Sequence, residues 1–87
     1  MRHAGPDALA ALAPLLERLR AMPTLKEQRS GVFYRKGRAT LHFHEDPSGL
    51  HADLRLVGDD FERMRVETPA EQDALIQRIL SALGNQG

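Results

Sequence analysis

Two short segments hold the residues with the greatest chemical potential. His42 and His44 stand two positions apart, and His51 and Asp53 repeat that spacing shortly afterwards. In an extended backbone, side chains two apart face the same side, so each pair offers both groups to one surface. Three imidazoles and a carboxylate are the donor set of a zinc, nickel or copper site. His42, His44 and His51 are therefore the candidate metal ligands, for zinc or nickel bound weakly, because a flat strand face spreads its ligands and has no pocket wall. A histidine beside a carboxylate, His42 with Asp53 or His51 with Glu67, is also the pairing a general base uses.

Other chemistry is excluded more firmly. The chain contains no cysteine, so it has no disulfide, thiolate metal site or thiol nucleophile. Ser30, Ser48 and Ser81 fall in a linker, a turn and a helix, and none sits on a nucleophile elbow. No glycine-rich phosphate loop is present. No catalytic residue is assigned.

The elements that must position these side chains follow from periodicity. Ala39, Leu41 and Phe43 alternate with Thr40, His42 and His44, and Ala52, Leu54 and Leu56 alternate with His51, Asp53 and Arg55. Asp46-Pro47-Ser48-Gly49 carries type I turn residues and joins the two strands as a hairpin. Parity then pairs Phe43 with Ala52, Leu41 with Leu54, His44 with His51 and His42 with Asp53. A one-residue slip would bury the histidines and expose the leucines.

The flanking strands are read in the same way. A two-residue turn at Lys36-Gly37 sets Tyr34 opposite Ala39 and Val32 opposite Leu41, both pairs inward. A return at Gly58-Asp59-Asp60 sets Leu54 against Met64, Ala52 against Val66 and Asp53 against Arg65. The first helix is written by Leu9, Leu12, Leu16 and Leu19, with Asp7 as its cap. Pro14 requires either a kink or a start near Ala13. Thr68-Pro69-Ala70-Glu71 opens a second helix with an N-cap, a first-turn proline and a capping-box glutamate, and Gly84 closes it. Residues 84–87 read as a frayed tail.

Residues 1–87 thus form a single α+β domain, order α-β-β-β-β-α: a four-stranded antiparallel meander with an N-terminal and a C-terminal helix on one face. The length permits one small core, which buries roughly 60–65% of the surface of the unfolded chain. The uncovered face presents His42, His44, His51, Asp53, Arg65 and Glu67 at one end. Phe33, Val57, Phe61, Arg55 and Arg63 lie at the other, an aromatic and arginine mixture typical of interface centres.

The formal net charge is zero over 87 residues. It is unevenly spread: Arg18 to Arg38 carries seven basic residues against Glu27, whereas Glu45 to Asp73 carries nine acids against three arginines. A neutral chain lacks the general attraction that nucleic-acid binding depends on, and the sequence argues against that partner. No apolar stretch is long enough for a membrane span, and no secretory signal is recognisable, so a cytoplasmic location is expected.

The run Arg38-Ala39-Thr40-Leu41-His42-Phe43-His44, followed by Gly49-Leu50-His51-Ala52-Asp53-Leu54, resembles the so-called luciferase-domain-like family, small bacterial proteins of unknown function. The resemblance implies a helix-flanked antiparallel sheet in which the face carrying the His-x-His and Asp53 matters. It implies no catalytic residue. The expected function is a small binding or interaction domain that uses the open sheet face, through His42, His44, His51, Asp53, Arg55, Arg65, Phe33 and Phe61. Its partner there is a second copy of the chain or another protein. The alternative is metal binding, or a His/Asp acid-base enzyme acting on a small ligand once a partner closes the face.

Overall fold

In a computed structural model the backbone is described for residues 2–86 and the side chains for residues 2–84. The elements, in chain order, are β1 (Arg2–His3), α1 (Pro6–Ala11), α2 (Ala13–Arg20), β2 (Lys26–Arg29), β3 (Val32–Arg35), β4 (Arg38–Asp46), β5 (Gly49–Leu54), β6 (Glu62–Arg65) and α3 (Pro69–Gln86). All strand pairs are antiparallel, in the order β2-β3-β4-β5-β6, with β1 on β4. The fold is α+β as expected, but the sheet has six strands rather than four.

The two extra strands have no alternating signature. Lys26-Glu27-Gln28-Arg29 contains no apolar residue, and β1 is only two residues long. The long strand β4 accommodates both neighbours: Arg38 to His42 pairs with β3, while His44 and Glu45 pair with His3 and Arg2. An Arg2 to Glu45 bond of 2.6 Å and a bond from the Gly5 amide to the same carboxylate, 2.9 Å, pin β1 down.

The central hairpin has the expected register throughout: Leu41–Leu54, His42–Asp53, Phe43–Ala52 and His44–His51. At the next hairpin Lys36 and Gly37 both take positive φ, 55° and 78°, as a two-residue turn compatible with strand twist demands. Tyr34 pairs with Ala39 as parity requires, but a bulge follows, so that Phe33 faces Leu41 and Val32 faces His42. Thr40 is the extra residue; it is buried, and its hydroxyl donates to the Arg38 carbonyl at 3.0 Å. A single inserted residue reverses the facing of everything beyond it. Phe33 therefore lies in the core, fully buried, and not on the open face.

The β5–β6 pairing is displaced by two residues from expectation: Ala52 faces Met64, and Asp53 faces Arg63 rather than Arg65. Contacts after Leu54 hold the start of this connection. The Arg55 amide donates to Thr40 O at 2.7 Å, its guanidinium to Ala39 O at 2.8 Å, and Arg38 holds the Gly58 carbonyl at 3.0 Å. Leu54 thus pairs with Glu62, and the connection between the strands is two residues shorter than expected. An even displacement leaves the two faces unchanged.

Pro14 divides the first helix. Leu12 sits between α1 and α2 at φ −91°, ψ 4°, and Pro14 occupies the first turn of α2, where its missing N–H breaks no helical bond. Gly5 takes the N-cap position of α1, and Asp7 lies inside its first turn without a capping bond, which corrects the expected cap. At α3 the capping box forms as expected: the Glu71 amide donates to Thr68 Oγ1 at 3.1 Å, and the Thr68 amide donates to Glu71 Oε1 at 3.0 Å. The helix continues through Gly84 to Gln86, so the expected tail is helical as far as Gln86, and Gly87 lies outside the described residues.

Leu12, Leu15, Leu16 and Leu19 meet Leu75, Ile76 and Ile79 in one cluster with Phe33, Leu41, Phe43, Ala52, Leu54 and Val66. Both helical segments therefore cover the same side of the sheet. No helix among the described residues is long and apolar enough to cross a membrane.

Candidate metal centre

The uncovered side of β4 carries His42 and His44, and β1 brings a third imidazole to them. His3 pairs with His44 across the strands, and the two rings stack at 4.6 Å. His42 meets His44 edge-on at 4.8 Å and His3 at 5.7 Å. One ring nitrogen from each of the three lies within 4.8 Å of the others. His51, expected to be the third ligand, turns instead to the β4–β5 turn, with its Nε2 3.1 Å from Ser48 Oγ and 3.6 Å from Asp46 Oδ1. His3 lay outside the expected group because its two-residue strand has no alternation to place it; that it is the fourth histidine was the available signal.

A chain of polar contacts runs beneath the rings. His42 Nδ1 and His44 Nε2 are 2.7 Å apart, and His44 Nε2 is 3.2 Å from Asp53 Oδ2. The Asp53 side chain is only 8% exposed and receives two bonds from Arg63, at 2.7 and 2.8 Å. Those bonds hold the Asp53 carboxyl below the usual aspartate value, against the opposing effect of burial. One of the two facing ring nitrogens, His42 Nδ1 or His44 Nε2, carries the proton and the other accepts it, the tautomer deciding which. His44 Nδ1 is buried without a hydrogen-bond partner.

Burial lowers the pKa of both imidazoles. For His42 the neighbouring His44 adds to the effect and Asp53 opposes it; for His44, Asp53 opposes burial. Both rings are therefore neutral near pH 7, the form that ligates metals. The unfolded chain takes up these protons at the ordinary histidine value, about 6.5, before the folded chain does, so acidification below that value favours unfolding. Urea melts of the metal-free protein should show stability level above pH 7 and falling between pH 6.5 and the lowered folded values. His42→Gln should flatten the slope; an equally steep slope in that variant would assign the loss to other groups.

The remaining expected residues divide between two places. Phe61 meets the His42 ring at 4.9 Å, and the Arg55 guanidinium lies 4.4 Å from the Phe61 centroid, so both border the histidines. Arg65 is drawn away, donating to Ser48 O at 2.6 Å and lying 3.5 Å from Glu71. Arg63 is thus the arginine that supports the cluster, a role the sequence register gave to Arg65.

Comparison with known proteins finds no match to the chain among family models, curated proteins or solved structures.

Proposed function

We propose that this domain binds a divalent transition-metal ion of the zinc class on its open sheet face. His3, His42 and His44 supply the ligands, and the Asp53–Arg63 pair lies beside the His44 ring. The support for this is the convergence of three ring nitrogens, from two strands distant in sequence, within 4.8 Å. Tetrahedral zinc at 2.0–2.1 Å from each nitrogen would hold them about 3.3 Å apart. The 2.7 Å His42–His44 contact therefore needs a small opening as the ion replaces the proton between them. The displaced proton has a destination on the same ring, the buried nitrogen His44 Nδ1.

Three neutral imidazoles favour zinc, nickel or copper over calcium or magnesium, which prefer oxygen donors. The role is that of a binding domain; the site lies on an open face with no wall to exclude water from a reaction.

Isotope-edited NMR of the imidazoles during zinc titration tests the reading. His3, His42 and His44 resonances should move together at stoichiometric zinc, with those of His51 unmoved. His3→Ala and His42→Ala should each weaken binding by at least the roughly 10–100-fold typical of losing even an outer-shell partner. Unmoved resonances, or movement confined to His51, would remove the proposal.

A further inference from the structure

We infer that the metal bound by the three histidines takes a small oxyanion, a carboxylate or a tetrahedral oxyanion, in its open position, and that Arg29 holds the other end of that anion. This rests on the metal reading above. Three neutral ligands leave the ion's two positive charges uncompensated and one tetrahedral position unfilled. The carboxylates beside the cluster, including Asp53 at 3.2 Å from His44 Nε2, are already paired with cations of the protein. Asp53 is engaged by both bonds from Arg63, and Glu45 by Arg2 and the Gly5 amide. The surroundings add further positive charge, because Arg55 lies over Phe61 against the His42 ring.

An opening for the anion adjoins the site. A cleft of about 440 Å³ is lined by His3, Arg29, Ser30 and Val32. Val32 lies opposite His42 across β3 and β4, and Arg29 lies opposite Val32 across β2 and β3, so the cleft floor is continuous with the histidine face. The Arg29 side chain has no hydrogen bond or ion pair among the described residues, unlike Arg2, Arg18, Arg20, Arg38, Arg63, Arg65 and Arg78. A planar guanidinium without a partner, beside a cationic site, matches the two oxygens of a carboxylate or the edge of a tetrahedral oxyanion. Ser30 adds a hydroxyl at the same cleft.

Cobalt(II) reports each step separately, because its visible absorption depends on its ligands. The full chain is titrated first with cobalt(II), and the loaded protein then with acetate and, in a second arm, with sulfate. Loading followed by a saturable spectral change on adding either anion is the expected result, and the arm with the tighter response identifies the anion class. Arg29→Gln should load cobalt as the parent does but bind the anion at least about tenfold more weakly. Lys36→Asn removes a charge at the far hairpin turn and should change neither step. Loading with no anion response in either arm would overturn this inference and leave the metal site standing. An Arg29→Gln response equal to the parent's, or a Lys36→Asn loss equal to that of Arg29→Gln, would overturn the role of Arg29 and its cleft. Failure of the parent to load would overturn both readings together.

Discussion

Phe33→Ala is expected to lower the free energy of unfolding by about 3–5 kcal/mol, the usual cost of removing a buried phenylalanine. Phe33 is fully buried and is among the largest side chains enclosed in the core. Small domains have total stabilities at the low end of about 5–15 kcal/mol, so this one truncation should leave the domain near its folding threshold. Phe61→Ala supplies the contrast. Phe61 is 40% exposed, and its contacts are the His42 ring edge and the Arg55 guanidinium. That variant should cost about 1 kcal/mol, the scale of an aromatic pair at a surface. Paired urea denaturation curves measure the difference. Equal losses from the two variants would mean that the bulge at Thr40 does not turn Phe33 inward.

Arg63→Met is expected to cost about 2–3 kcal/mol, because it leaves the Asp53 carboxylate almost buried without its two charge-assisted bonds. The asymmetry lies in exposure: the Arg63 side chain is 51% exposed and can return to water, whereas Asp53 cannot. Asp53 should respond by titrating at a higher pH than in the parent, since the arginine bonds are the largest influence lowering it. A carbon-detected NMR titration of the Asp53 carboxyl reads this directly. Adding Asp53→Asn to Arg63→Met should recover part of the lost stability by removing the stranded charge. A double variant no more stable than Arg63→Met would place the cost in lost packing of the arginine stem.

The central hairpin was legible because its alternation is strict and its loop is short: every pair from Leu41–Leu54 to His44–His51 stands where parity put it. The capping box at Thr68 was legible for a similar reason, since its signal is local and reciprocal. Legibility failed where a backbone irregularity intervened. Both Phe33 and Val32 are apolar, so the pattern around them allows either facing, and a bulge decided between them. The two-residue displacement of β6 lies in the length of the connection after Leu54, whose residues Val57 to Phe61 carry no alternation that would fix it. The site was half legible for the same reasons. His42, His44 and Asp53 come together on one strand pair, whereas His3 depends on a two-residue strand that Glu45 captures through Arg2 and Gly5.

The outermost strands of the sheet have a consequence for how this chain behaves when crowded. β2 reads Lys26-Glu27-Gln28-Arg29 and β6 reads Glu62-Arg63-Met64-Arg65, so each rim exposes unpaired backbone amides behind a fringe of ionised side chains. Adding a further strand there would strip water from those charges or set like charges side by side, the means by which natural sheets resist growing into fibrils. Concentrated solutions should accordingly stay clear of ordered aggregates, with neutralisation of the fringe on β2 as the change that would expose the sheet to polymerisation.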